Sequence, residues 1–398
     1  MKRGPRKIED FVGNKEVNTM QKILVIPDSF KGTLTARQVC RILDKAILRQ
    51  FPHAETICIP AADGGEGTAE AFLSVLGGVT VAETVQGPHG QTVSAVYGLL
   101  SDGTAVLDMA SCAGLTLTEN HLDPEKTTTY GVGQLILSAL EHGAKRILLG
   151  LGGSATHDLG CGMAAACGAR FYDGEGQSFV PTGGTLHRIA SIDLSHMDAR
   201  LETTPLTALC DIDNPLLGPE GAARMFAPQK GADEAMLLRL EAGSRHLSQL
   251  WLAQTGQDLQ SISGGGAAGG MGAGVCAFFR GSLRPGMDAL LDAADFETLA
   301  RDADLIFTGE GCLDGQSLHG KAVISLARRA RALGVPVAAL VGGVRGDPAP
   351  LYECGVTAIF PINPLPQTLE ESAPFAADYL ARTADSVLRL LAAREGTL

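Results

Sequence analysis

One glycine-rich stretch stands at the centre of this sequence: Gly150-Leu151-Gly152-Gly153-Ser154-Ala155-Thr156-His157-Asp158. It follows the apolar run 146–149, typical of a buried strand, and precedes the small residues 163–166, typical of a helix. Strand, glycine turn and helix commonly bind phosphate, because glycines let the backbone come close and N–H groups at the helix start point at the anion. Ser154 and Thr156 add hydroxyls, and Asp158 is a candidate metal ligand. ATP, a dinucleotide and a structural role all stay open at this point.

The composition indicates a globular protein with a substantial core. Of 398 residues, 45% are hydrophobic and 19% charged, and this length suggests about two or three domains. The formal net charge of −12 argues against nucleic acid as the main partner, since phosphate backbones require a basic face. Because no apolar run reaches the roughly 18–20 residues of a membrane helix, no membrane partner is expected. The nine cysteines include no C-x-x-C pair, which is typical of reduced thiols in the cytoplasm.

The order of the elements predicts an α/β protein. Short apolar runs at 22–26 and 56–59 alternate with helical patterns, the first opened by Thr35 and Gln38 as a capping box, and this rhythm returns after residue 285. Between 79 and 109, turns separate strand-like runs as in an antiparallel meander. We predict a tail at 1–19 and a parallel-sheet, Rossmann/flavodoxin-like three-layer domain. Residues 20–76 and 285–398 are predicted to form the parallel-sheet domain. Residues 77–284 are predicted to form a mixed α/β domain inserted into it.

Carboxylates recur where the predicted strands end, which is where α/β sheets bind ligands. Phosphoryl transfer requires carboxylates for Mg²⁺ and for the hydroxyl proton, with lysines and backbone N–H groups that neutralise the phosphate. A single acidic strand end is more often a solvated loop, but five of them favour a phosphoryl-transfer site. The five are Asp28 with Lys31, Asp63 with Glu66, Asp158, Asp211 with Asp213, and Glu310 with Asp314.

Two other nucleotide motifs are weaker. Residues 150–155 fit the dinucleotide fingerprint G-x-G-x-x-A, with Asp173 as the ribose-binding acid, but the fingerprint follows a meander rather than the first strand of a doubly wound sheet. Residues 315–321 resemble the start of a P-loop, yet Ala322 stands where Ser or Thr is required. Lys321 stays a candidate phosphate contact, and a polar loop residue is the favoured interpretation of His157.

Taken together, these residues resemble the type I bacterial glycerate kinase family. The sequence differs from the family beside the motif cores, with His157 for Asn, Leu159 for Gly, and Cys312-Leu313 for Arg-Ile. The matching motifs follow in order: 27–31, 62–68, 150–158, Asp211 with 214–216, 228–232, 264–270, and 308–311 with Asp314, Gln316 and 320–321.

The resemblance implies phosphorylation of D-glycerate to 2-phosphoglycerate by ATP and Mg²⁺, with the site in a cleft between two α/β domains. Asp211 is the predicted general base, Lys31 and Asp63 complete the catalytic set, and Asp63, Asp211 and Glu310 are the candidate metal ligands. The predicted substrate and phosphate contacts are Asp28, Ser29, Gly64, Gly65, Glu66, Gly152, Gly153, Ser154, Thr156, Asn214, Gly265, Gly266, Glu310 and Lys321.

Several functions stay open on the sequence alone. A kinase that forms 3-phosphoglycerate or acts on another small hydroxy acid fits the same motifs. An NAD-dependent dehydrogenase and a nucleotide-binding sensor without turnover are alternatives from other classes. The sequence sets no oligomeric state, and a homo-oligomer is compatible with it.

Overall fold

The computed structural model describes residues 20–30, 32–61, 64–118, 121–313 and 322–395. The strands are β1 Lys22–Val25, β2 Glu55–Cys58, β3 Val79–Gln86, β4 Thr92–Leu99, β5 Thr104–Asp108, β6 Arg146–Gly150, β7 Arg170–Tyr172, β8 Ser178–Phe179, β9 Ser191–Asp193, β10 Leu206–Leu209, β11 Ser282–Arg284, β12 Leu305–Thr308, β13 Val337–Val341 and β14 Ala358–Pro361. The helices are α1 Ala36–Gln50, α2 Thr68–Leu76, α3 Ala110–Ala113, α4 Tyr130–Glu141, α5 Cys161–Ala166, α6 Ala222–Phe226, α7 Glu234–Thr255, α8 Ala267–Phe278, α9 Gly286–Ala293, α10 Phe296–Ala300, α11 Ala322–Leu333, α12 Ala349–Glu353, α13 Leu369–Ser372 and α14 Ala376–Glu395.

The strands form a parallel sheet, a mixed sheet and a small antiparallel sheet. The first has the order β14-β13-β12-β1-β2 with all pairs parallel. The second has the order β11-β10-β6-β5-β4-β3, in which the predicted meander β3-β4-β5 is antiparallel and the remaining pairs are parallel. Strands β8-β7-β9 form the third. The predicted α/β fold class, with one parallel and one mixed sheet, is confirmed.

Strand β1 is buried on both faces, as expected for the centre of a parallel sheet covered by helices. Ile23 and Val25 point into a core shared with α1 and α14. Leu24 and the following Ile26 point into a second core that also contains residues of α9 and α11. Helix α1 begins with the predicted capping box, since the side chains of Thr35 and Gln38 each accept the other's backbone N–H.

The second core joins the two large sheets. Helix α2 packs against β4 and β5, and Phe72 of α2 lies in the same apolar cluster as Val106 of β5 and Leu24 of β1. The first sheet takes its strands from residues 22–58 and 305–361, and the second takes its strands from residues 79–284. The exact boundaries at 76–77 and 284–285 stay a prediction.

All nine cysteines are free thiols, and none is exposed. In the described part of the chain, no helix has both the length and the apolar character required to cross a membrane.

Close packing of α4 on α5 makes Gly133 a test of the fold. A Cβ at Gly133 would lie 2.3 Å from the carbonyl oxygen of Met163 and 2.6 Å from the Cβ of Ala166. Alanine improves helix propensity by about 1 kcal/mol, but overpacking against a backbone carbonyl costs about 1–3 kcal/mol. We expect Gly133→Ala to lower the free energy of unfolding in urea.

Gly174→Ala is the control, because no atom lies within 4 Å of a Cβ placed there. Its free energy of unfolding should stay within about 0.5 kcal/mol of wild type. A Gly133→Ala variant as stable as this control would contradict the close approach of the two helices.

Candidate active site

A cleft of about 850 Å³ opens where strands of both large sheets end. Loops that follow β1, β12 and β13 line one wall, and loops that follow β6 and β10 line the other. The carboxyl ends of parallel strands are where open α/β sheets place their ligands. The cleft is therefore the candidate active site.

Three carboxylates predicted from the strand ends line this cleft. Asp28 and Glu310 belong to the wall of the first sheet, and Asp211 belongs to the wall of the second. The backbone N–H of Gly286, which opens α9, donates to Oδ1 of Asp211 at 2.7 Å and orients the carboxylate. Ser29 also lines the cleft, and its backbone N–H donates to Oδ1 of Asp28. Carboxylates from residues far apart in sequence thus line one cleft.

The central glycine loop reaches the cleft with Gly152, Gly153 and Ser154. The backbone N–H of Gly152 is not available to a ligand in the cleft, because it donates to the carbonyl oxygen of Gly64 at 2.8 Å. A Cβ on Gly152 would lie 2.5 Å from the Cα of Gly65, which also lines the cleft. The glycine at 152 is therefore required for contact between two loops.

Six of the predicted contact residues do not line the cleft. Thr156 is fully buried, and the Asn214 side chain donates to the Glu220 carbonyl oxygen at 2.9 Å. The six are Gly64, Glu66, Thr156, Asn214, Gly265 and Gly266. Their direct contact with a ligand stays a prediction. The predicted residues Lys31, Asp63 and Lys321 lie outside the described residues.

Asp158 is a structural residue, and its suggested role as a metal ligand is wrong. Its carboxylate is 1% exposed and accepts four hydrogen bonds. The donors are the N–H and Oγ1 of Thr129, at 2.7 and 2.9 Å, and the N–H groups of Gly160 and Gly162, both at 3.2 Å. Burial raises the pKa of Asp158, and these bonds act in the opposite direction. The bonds tie the loop 151–160 to the start of α4.

The glycine-rich segment 264–274 packs against the central loop 150–158. A Cβ on Gly269 would lie 2.2 Å from the carbonyl oxygen of Thr156, and one on Gly274 would lie 2.1 Å from that of Leu159. Residues 268–270 have left-handed backbone angles that interrupt α8, and Ala268 lines the cleft. This segment therefore supports the side of the central loop that faces away from the cleft. Ala267 and Ala268, rather than Gly265 and Gly266, line the cleft.

His157, predicted to be a polar loop residue, is a buried structural residue of the loop. The ring is fully buried, and Nε2 lies 3.1 Å from the hydroxyl oxygen of Ser244. That hydroxyl donates to the carbonyl oxygen of Leu240, so Nε2 carries the proton and donates to Ser244. Burial, assisted by the charge of Lys230, lowers the pKa of His157 to about 3, and the imidazole is neutral.

Asp173, the ribose-binding acid of the dinucleotide interpretation, is used elsewhere in the fold. Asp173 lies in the turn between β7 and β8, where its carboxylate accepts bonds from the N–H groups of Glu175 and Gln177 and from Arg188. It does not line the cleft. A loop of ten residues, 151–160, also separates β6 from α5. A tight dinucleotide turn does not have this length.

Sequence reasoning missed two cations of the cleft, Lys230 and Arg345. Arg345 is exposed, whereas Lys230 is 1% exposed. Lys230 Nζ donates to Ser154 Oγ at 2.8 Å and to the Thr156 carbonyl oxygen at 2.7 Å. Burial lowers the pKa of Lys230 to about 7, although Asp158 acts in the opposite direction. The only sequence signal was the position of Lys230 inside the matched motif 228–232.

The donor chemistry of the cleft fits a magnesium ion. Mg²⁺ prefers hard oxygen ligands and is usually bound by one or two carboxylates together with substrate phosphates. Asp28, Asp211 and Glu310 supply such oxygens, while the described part of the chain contains no His, Cys, Asp and Glu cluster that forms a complete metal cage. An ion shared with a phosphate ligand is therefore the type of metal site that these residues suit.

Comparisons with known proteins agree on one family. The model of the "Glycerate kinase family" matches residues 23–392. The chain is 43% identical to a glycerate kinase of Bacillus cereus over 92% of this chain and 97% of that protein. It is 39% identical to the glycerate 2-kinase of Escherichia coli K12, over 93% and 98% of the two chains. A crystal structure assigned as glycerate kinase 2 of Salmonella typhimurium LT2 superposes with a TM-score of 0.83 at 38% identity, covering 95% of this chain and 100% of that chain.

The lowered pKa of Lys230 predicts how stability depends on pH. Between pH 7 and about 10, the unfolded chain holds a proton on this lysine that the folded protein releases. Folding is therefore favoured as pH rises through this window, by up to about 1.4 kcal/mol per pH unit. Relative to Lys230→Met, the wild type should gain free energy of unfolding from pH 7 to 10, measured by urea denaturation.

Lys145→Met is the matched control, since Lys145 is exposed. Its difference from wild type should stay level across the same pH range. An equally level difference for Lys230→Met would show that the buried ammonium keeps an ordinary pKa.

Proposed function

The chain belongs to the glycerate kinase family, and from this premise we propose that it transfers the terminal phosphoryl group of ATP to the 2-hydroxyl of D-glycerate. The observation that carries the proposal is one cleft that contains Asp28, Asp211, Glu310 and the glycine loop 151–154. Carboxylates facing a glycine-rich phosphate loop are the groups required by phosphoryl transfer. The product, 2-phosphoglycerate, and the use of ATP are part of the proposal.

The size and the two walls of the cleft support two ligands side by side. Ligand pockets commonly measure about 300–1,000 Å³, and this cleft of about 850 Å³ lies near the upper end. The triphosphate group of a nucleotide and a three-carbon acid fit together in a space of this size. Because the two walls come from different sheets, each wall can bind mainly one ligand. The two ligands then meet at the centre of the cleft.

Asp211 is the proposed general base. Its Oδ1 accepts the N–H of Gly286, which orients the carboxylate at the cleft wall. A general base must lie within hydrogen-bond reach of the proton that it accepts. We assign to Asp211 the acceptance of the hydroxyl proton as the hydroxyl oxygen attacks phosphorus.

Two other acidic residues are assigned to the metal. Glu310, with Asp63 as a further candidate, would hold Mg²⁺ through carboxylate oxygens. When bound, Mg²⁺ supplies positive charge that neutralises the phosphate oxygens. Gly153 lines the cleft without a side chain and lets phosphate approach the backbone closely.

One coupled assay separates the candidate functions. Release of ADP from ATP on addition of D-glycerate supports the kinase. A change in NAD⁺ absorbance without ADP would favour a dehydrogenase, and nucleotide binding without either would favour a sensor. Phosphorus and proton NMR of the product identifies the phosphorylated carbon, and a signal from 3-phosphoglycerate would overturn the 2-position. Turnover of another hydroxy acid in preference to glycerate would change the substrate.

Substitution of the proposed base gives a sharper test. Asp211→Asn keeps the shape of the side chain but removes its ability to accept the hydroxyl proton. We expect kcat to fall by at least roughly 100-fold, the usual scale for loss of a general base. The measurement is the steady-state rate of ADP release at saturating ATP and D-glycerate.

Asp213→Asn is the matched control. Asp213 follows the same strand two residues later, is exposed and does not line the cleft. This variant should keep kcat within about threefold of wild type. Near-normal turnover of Asp211→Asn would remove Asp211 from the role of base and leave the family assignment intact.

A further inference from the structure

Lys230 is a buried lysine whose amino group lacks a carboxylate partner within the described part of the chain. An ammonium group has three N–H donors, and two of them are directed at neutral oxygens, Ser154 Oγ and the Thr156 carbonyl oxygen. Lys230 lines the cleft. A buried charge is costly unless it is paired, so the third donor is suited to an anion that enters from the cleft.

The acid whose charge acts on Lys230 does not supply that partner. Asp158 influences the pKa of Lys230, but its carboxylate accepts from Thr129, Gly160 and Gly162 and forms no ion pair with Lys230. Arg345, the other cation among the described residues that line the cleft, is exposed. Of these two described cations of the cleft, Lys230 alone is buried.

The fold holds Lys230 rigidly. It ends a short turn, Pro228–Lys230, and its N–H donates to the carbonyl oxygen of Ala227 at 3.0 Å. The next residue, Gly231, has a φ of +94°, and a Cβ there would lie 2.6 Å from the Cβ of Leu122. The backbone on both sides of the lysine is therefore constrained, and its side chain is directed at the central loop.

Ser154 adds a second donor beside the ammonium. Its Oγ accepts a hydrogen bond from Lys230, so its own hydroxyl hydrogen is available to donate. Ser154 also lines the cleft and is 5% exposed. An N–H and an O–H donor that are neighbours on a buried wall match the two oxygens of a carboxylate.

We propose that Lys230 and Ser154 bind the carboxylate of the acid substrate, an assignment that rests on the proposed function. Lys230 and the proposed base Asp211 belong to the same cleft wall, which the loops of the second sheet and the turn at Lys230 form. In a 2-hydroxy acid the carboxylate carbon is bonded to the carbon that bears the reacting hydroxyl. The wall that holds the base therefore also holds the carboxylate.

The test compares D-glycerate with its neutral amide, D-glyceramide, as phosphoryl acceptors. In Lys230→Met the value of kcat/KM for glycerate should fall by at least about 100-fold, as expected when one partner of a buried charge pair is removed. The value for glyceramide should change by less than about threefold, and KM for ATP should likewise be little affected. The preference of the wild type for the carboxylate should therefore disappear.

Other outcomes overturn the assignment. An equal loss with both acceptors would show that Lys230 only shapes the loop at 154–156. A fall in kcat with a higher KM for ATP and an unchanged KM for glycerate would place Lys230 at the transferred phosphoryl group. Lys145→Met is the control lysine and should leave both acceptors unaffected, since Lys145 is exposed and does not line the cleft.

A second variant keeps the test decisive if Lys230→Met does not fold. Ser154→Ala removes the neighbouring donor and should lower kcat/KM for glycerate by about 10-fold, with a smaller effect on glyceramide. Equal effects on both acceptors would overturn the assignment. Wild-type protein that phosphorylates neither acceptor would overturn the proposed function itself. Activity on glycerate with the preference retained in both variants would overturn only the roles of Lys230 and Ser154.

Discussion

The backbone contact between Gly64 and Gly152 sets the geometry of the site. The N–H of Gly152 donates to the carbonyl oxygen of Gly64 at 2.8 Å, and a Cβ on Gly64 would lie 2.4 Å from the carbonyl oxygen of Leu209. This contact joins the loop after β2 of the parallel sheet to the loop after β6 of the mixed sheet. Any side chain here would separate the two loops, so the spacing of the two cleft walls depends on the absence of side chains.

The charged residues around this contact differ in how deeply they are buried. The carboxylates Asp211 and Asp28 are half-buried at the cleft surface, where a metal ion and a substrate hydroxyl can reach them. Asp158 and Lys230 lie deeper. Asp158 accepts from Thr129 at the start of α4 and from the N–H of Gly160, and Lys230 donates to Ser154 Oγ and to the Thr156 carbonyl oxygen. The deep pair holds the loop in shape, and Lys230 also reaches the cleft. A buried polar network thus fixes the conformation of the loop.

Much of the framework was predictable because apolar periodicity and caps are local. The helix opened by Thr35, the meander over 79–109 and the parallel strand at 22–26 occur close to their predicted positions. The strand ends also predicted Asp28 and Asp211 at one edge of the sheets, and both residues line the cleft, since parallel strands present their carboxyl ends at one edge. The error at Asp158 arose because its four hydrogen-bond donors come from a helix start 29 residues earlier in sequence, from its own loop and from the first turn of α5.

The sequence by itself determined the α/β class, the order of the elements and the family. Apolar periodicity and motif spacing depend on residues that are close in sequence, so they can be identified without the tertiary structure. Only the tertiary structure decided which glycines pack against backbone, which carboxylates face the cleft, and that Lys230 is buried beside Ser154. These properties depend on contacts between segments such as 150–156 and 228–231, which lie more than 70 residues apart. Burial and charge pairing arise from such contacts, and no local pattern encodes them.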